Sequence, residues 1–129
     1  MEARRKVLVI DDEPDLVEMI RMALERQFEV ATAFNGKDGV AKARSDKPDA
    51  IVLDIMMPEK DGFAACRELK GDPNTASIPI LILTGVGEYF GRTKYTKMNG
   101  RGIEADDFMP KPVDPNELIR RVSDLLRKG

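Results

Sequence analysis

The sequence holds no histidine and a single cysteine, Cys66, in 129 residues. That removes Cys/His zinc centres, histidine-based triads and any role as a phosphohistidine donor. Nor is there an excess of one charge: 21 Lys and Arg against 23 Asp and Glu leave a net charge of −2, although 34% of the chain is charged. Such a balance describes a solvated surface and disfavours direct nucleic-acid binding, which calls for a basic footprint. After Met1–Lys6 the apolar run Val7–Ile10 is too short for a signal core or a membrane span. No repeat, low-complexity tract or Pro-rich linker divides the chain. Its length suits one domain that buries a core without disulfides or structural metal. The expectation is a single cytoplasmic domain over residues 1–129, with its core at about 5–127, no membrane contact and no attached output domain.

What is present in quantity is hard oxygen chemistry at the ends of apolar runs. Val7–Ile10, Ile51–Leu53 and Ile80–Leu83 are short, largely β-branched or Leu, and bounded by charges or turn formers. Such runs suit strands buried on both faces. Weaker strands are predicted at Glu29–Ala33 and Asp107–Met109, giving five. Helical spacing of Leu16, Ile20, Ala23 and Leu24 predicts a helix starting near Pro14 or Asp15. Asp114 as N-cap, Pro115 at the first helical position and Glu117 three residues after the cap predict another, carrying Leu118, Val122, Leu125 and Leu126. Alternating strands and helices imply an α/β fold, a doubly wound parallel sheet of five strands with helices on both faces. Sites in such sheets lie beyond the carboxyl ends of the strands, where Asp11, Asp54 and Thr84 fall. Gly85–Glu104 holds five glycines among polar and basic residues and is expected to be a long mobile loop.

Asp11-Asp12 closes one run, Asp54 another and Thr84 a third, and Lys111 precedes Pro112. Three converging carboxylates repel one another unless a hard cation joins them, and Mg²⁺ (or Mn²⁺) takes oxygen ligands while keeping positions open. With the metal and Lys111 neutralising charge, an aspartate oxygen can attack phosphorus in line and form an aspartyl phosphate. Asp54 stands alone at a buried strand end and is the expected nucleophile, with Asp11 and Asp12 holding metal and Thr84 bonding the attached phosphoryl group.

On these residues the sequence resembles a response-regulator receiver domain of two-component signalling, over nearly its whole length. Asp11 and Asp12 match the family's acidic pair, Asp54 in Leu53-Asp54-Ile55-Met56-Met57-Pro58 its phospho-acceptor, and Thr84 and Lys111-Pro112 its hydroxyl and lysine. Asp61-Gly62 follows at the expected place, and Phe108 stands at the switch-aromatic position three residues before Lys111. The resemblance implies a flavodoxin-like fold, a metal ligand from the backbone carbonyl of Met56, a cis peptide before Pro112, and a phosphoryl donor that is a sensor histidine kinase or histidine phosphotransfer protein. It further implies that phosphorylation draws Thr84 and then Phe108 inward, reshaping the surface that binds a downstream protein. Such a protein is a phospho-acceptor switch, catalysing its own phosphorylation and dephosphorylation, and not a metabolic enzyme; it is a monomer or a weak phosphorylation-dependent dimer.

The sequence departs from the pattern in its longer Thr-to-Lys interval, in Phe where many members have Tyr, and in apolar Met56 and Val86, from which a long-lived phosphoryl group is expected. Two other readings stand beside the leading one. A degenerate receiver would serve as a phosphorylation-independent interaction module or phosphate sink. A phosphatase of the haloacid-dehalogenase type would need a second Asp two residues after the nucleophile, where Met56 stands. Cys66 and the seven methionines read as packing, and Arg92, Lys94, Lys97 and Arg101 as a solvated loop.

Overall fold

The computed structural model describes residues 4–55, 62–84 and 105–128. Among them five strands and four helices follow in the order β1 (Lys6–Ile10), α1 (Pro14–Leu24), β2 (Glu29–Ala33), α2 (Gly36–Asp46), β3 (Ala50–Asp54), α3 (Gly62–Gly71), β4 (Ile80–Thr84), β5 (Asp107–Pro110) and α4 (Pro115–Lys128). All neighbours pair in parallel, in the spatial order β2-β1-β3-β4-β5. That order is the flavodoxin-like doubly wound sheet, in which the chain steps from β1 outward to β2 and then returns to β3 on the other side. The topological switch therefore lies between β1 and β3. The stretch 85–104 and Met56 fall outside the described residues, so the expectations for that loop, its basic residues, Val86 and the Met56 carbonyl are not addressed by the fold.

Side-chain alternation along the central strands builds two cores. Val7 and Val9 of β1, Val52 of β3 and Leu81 and Leu83 of β4 face α1 and α4, packing on Val17, Ile20, Leu118 and Val122. Leu8, Ile10, Ile51, Leu53, Ile80 and Ile82 face the other way, onto Val40 and Ala43 of α2 and Cys66 and Leu69 of α3. Burial on both faces is why these strands read as unbroken apolar runs. The edge strand β2 is mostly half-exposed, which accounts for its weaker pattern.

Helix ends follow local chemistry. Asn35 caps α2, its side-chain oxygen accepting from the Asp38 N–H at 2.7 Å. Asp114 Oδ1 accepts from Asn116 N–H at 3.1 Å and opens α4. The reciprocal half of that capping motif is missing: Glu117 turns outward along the helix and accepts from Arg121 Nε at 2.9 Å. At Gly39 a Cβ would stand 2.5 Å from Ile10 Cδ1, so the glycine lets α2 sit close on β1.

Candidate functional site

Four neighbouring strands deliver the site. Asp11 and Asp12 follow β1, Asp54 ends β3, Thr84 ends β4 and Lys111 follows β5. Backbone bonds carry the ladder past the strand ends and fix where these loops start. Asp11 N–H donates to Ala33 O at 3.1 Å, Ile55 N–H to Leu83 O at 3.1 Å, and Lys111 N–H to Thr84 O at 2.7 Å. The peptide between Lys111 and Pro112 is cis.

Asp11 and Asp54 are buried and Asp12 is half-buried. Each offers a carboxylate oxygen, and those oxygens lie within 4.8 Å of one another. The Lys111 ammonium enters the group, with Nζ 3.0 Å from Glu13 Oε1, 3.3 Å from Asp54 Oδ1 and 3.5 Å from Asp11 Oδ2. The contact with Glu13 is a hydrogen bond. Asp11 Oδ1 accepts from the Glu13 N–H at 3.0 Å, but its Oδ2 is buried without a hydrogen-bond partner despite the nearby ammonium.

These surroundings set the charge states. Burial, and then the Asp54 carboxylate, push the pKa of Asp11 up from 3.8 to about 6, with the Glu13 N–H and Lys111 pulling back only in part. Burial works against the charged form of Lys111, yet the hydrogen bond to Glu13 and the Asp11 and Asp54 carboxylates outweigh it and hold its pKa above the ordinary value. A buried acceptor oxygen with no donor, among hard oxygen groups that one ammonium cannot neutralise, fits a divalent cation such as Mg²⁺. Asp11, Asp12 and Asp54 are the residues that would hold it.

Thr84 is buried, and its hydroxyl donates to Met109 O at 3.1 Å, tying the end of β4 to β5. Phe108 is half-buried against the core formed with α2 and α3. Its carbonyl accepts from Arg121 Nη1 at 3.0 Å, and the same nitrogen lies 3.0 and 3.1 Å from the two carboxylate oxygens of Asp107. The strand bearing Phe108 is thereby clamped to α4.

Two residues of the site were given no role from the sequence, although Gly62 was among those that carried the resemblance. Gly62 donates its N–H to Ile55 O at 2.9 Å, and a Cβ there would stand 2.4 Å from both Asp54 O and Ile55 Cα. Only glycine lets α3 start against the backbone that carries Asp54. Glu13 is the second; its signal was a third consecutive acid at a helix N-cap, a place where Glu is not a favoured residue.

Residues 7–123 match the family model described as the response regulator receiver domain. The chain is 40% identical over 126 residues to the alkaline phosphatase synthesis transcriptional regulatory protein PhoP of Bacillus subtilis, an alignment covering 97% of this chain and 50% of that protein. It is 40% identical over 123 residues to the response regulator PleD of Caulobacter vibrioides, covering 95% of this chain and 26% of PleD. It thus spans half or less of the length of these two relatives. Among solved structures, the chemotaxis protein CheY4 of Vibrio cholerae superposes with a TM-score of 0.84 at 27% identity, covering 95% of this chain and 99% of that one.

Proposed function

The chain belongs to the response regulator receiver domain family, signalling switches that accept a phosphoryl group and are not metabolic enzymes, and on that premise we propose that Asp54 is the phospho-acceptor. The observation that carries this reading is the Lys111 ammonium 3.3 Å from Asp54 Oδ1, inside a group of buried carboxylates. A phosphohistidine on a sensor kinase or phosphotransfer protein is the donor, and a small acyl phosphate is its substitute. A carboxylate oxygen of Asp54 bonds to phosphorus while the bond from phosphorus to the donor breaks, and the leaving group keeps that electron pair. Lys111 turns to the phosphoryl oxygens and offsets their charge. A bound Mg²⁺ would supply charge neutralisation at the carboxylates and the phosphoryl oxygens.

Thr84 starts with its hydroxyl on Met109 O. To donate to a phosphoryl oxygen it gives up that bond, which loosens β5 at the residue beside Phe108. Switching then shifts Phe108 and the clamp formed by Arg121 and Asp107, presenting a changed surface to a downstream protein. A cytoplasmic setting belongs to the same proposal; among the described residues no helix is long and apolar enough to cross a membrane.

Intact-mass analysis after incubation with acetyl phosphate tests the assignment. The expected result is a Mg²⁺-dependent gain of one phosphoryl group that Asp54→Asn abolishes. A gain that survives Asp54→Asn would move the acceptor elsewhere, and no gain from acetyl phosphate or a purified phosphohistidine donor would turn the reading toward a phosphorylation-independent module.

A further inference from the structure

Glu13 occupies the N-cap of α1, yet its side chain makes no capping hydrogen bond. The carboxylate reaches instead to Lys111, 98 residues along the chain, at 3.0 Å. Of the three carboxylates around that ammonium among the described residues it is the nearest, and the one with solvent beside it: its side chain is 60% exposed, against 0% for Asp11 and 3% for Asp54. An ammonium has three N–H donors, and three carboxylates already crowd this one. A phosphoryl group arriving at Asp54 adds further anionic oxygens, so one acid has to yield. Asp11 and Asp54 are fixed by the strand ends that carry them, whereas Glu13 can swing outward.

We propose that Glu13 is a releasable tether: it holds the Lys111 ammonium toward the mouth of the site and gives it up when a phosphoryl group, or an anion of the same shape, binds at Asp54. This rests on the reading of Asp54 as acceptor. Glu13 touches neither phosphorus nor donor; it is a positioning residue that acts through Lys111. Because its side chain does not cap α1, neutralising it removes the competition for Lys111 and leaves the helix start intact. Asp15, exposed in the same groove beside Lys111, carries the same charge without that contact and separates the tether from general electrostatic repulsion.

The test is an equilibrium titration with beryllofluoride at saturating Mg²⁺, in which an Asp54 oxygen bonds to beryllium as a water leaves the trifluoride. It is followed by backbone amide NMR in the native chain, Glu13→Gln, Asp15→Asn and Asp54→Asn, with ligand-free urea midpoints alongside. Glu13→Gln is expected to lower the dissociation constant about two- to fivefold, the range for an exposed ion pair, and to lower its ligand-free midpoint by no more than the loss of that one pair. Asp15→Asn should lower it by a smaller factor than Glu13→Gln does. A dissociation constant that is unchanged or raised in Glu13→Gln, or lowered equally in Asp15→Asn, overturns the tether. Failure of the native chain itself to bind, matching Asp54→Asn, overturns the acceptor assignment and the tether with it.

Discussion

Asp11 is a residue on which pH acts directly. Its carboxyl titrates at about 6 in the folded protein against 3.8 ordinarily, so between those values the folded state binds a proton that the unfolded chain has released. Without metal, stability is therefore fully supported by this group below about pH 4, falls as pH rises through about 6, and then levels off. The swing is about 2–3 kcal/mol. Urea denaturation in EDTA at pH 4.5 and 7.5 should show the fall in the native chain and its loss in Asp11→Asn. The convergence of the candidate-site residues was legible in the sequence because Asp11, Asp54 and Thr84 end buried runs or directly follow them, and Lys111 directly precedes Pro112. Glu13 was not, because a side chain that leaves its own helix for a partner 98 residues away has no local pattern.

At the scale of elements, the seat of α3 on β3 admits no side chain at its first residue. Gly62→Ala would press a methyl group onto the backbone of Asp54 and Ile55, neither of which can move without moving the proposed acceptor. The expected cost is about 1–3 kcal/mol of stability, together with slower phosphorylation by acetyl phosphate. Thermal melting and the mass assay check the two separately; normal values for both would mean that α3 shifts freely. The strands flanked on both faces announced themselves by composition, and α4 by its cap and apolar stripe. The capping motif was only half realised because the bond from Arg121 competes for Glu117. The edge strand β2 and the short β5 gave weaker patterns, since half-exposed positions accept polar residues.

At the scale of the whole molecule, the parallel order gathers one end of four strands and with it the buried carboxylates found among the described residues. Binding of a divalent cation to the folded state alone should stabilise the entire fold. At about a hundredfold excess over its dissociation constant the gain is ~2.7 kcal/mol. Mg²⁺ at pH 7 should therefore raise the urea midpoint of the native chain, EDTA should return it, and Asp12→Asn should remove most of the response. An unresponsive native chain would leave Asp11 Oδ2 without the partner argued for it.

The distance along the chain between Asp11 and Lys111 gives the fold one further property. During synthesis Asp11, Asp12 and Asp54 emerge well before Lys111, the amine that tempers them. A chain not yet made as far as Lys111 thus has the carboxylates but lacks the counter-charge, and on the proposed reading it cannot be switched on early. On that reading, competence to carry a signal waits for a molecule that has been made through β5 and closed on itself.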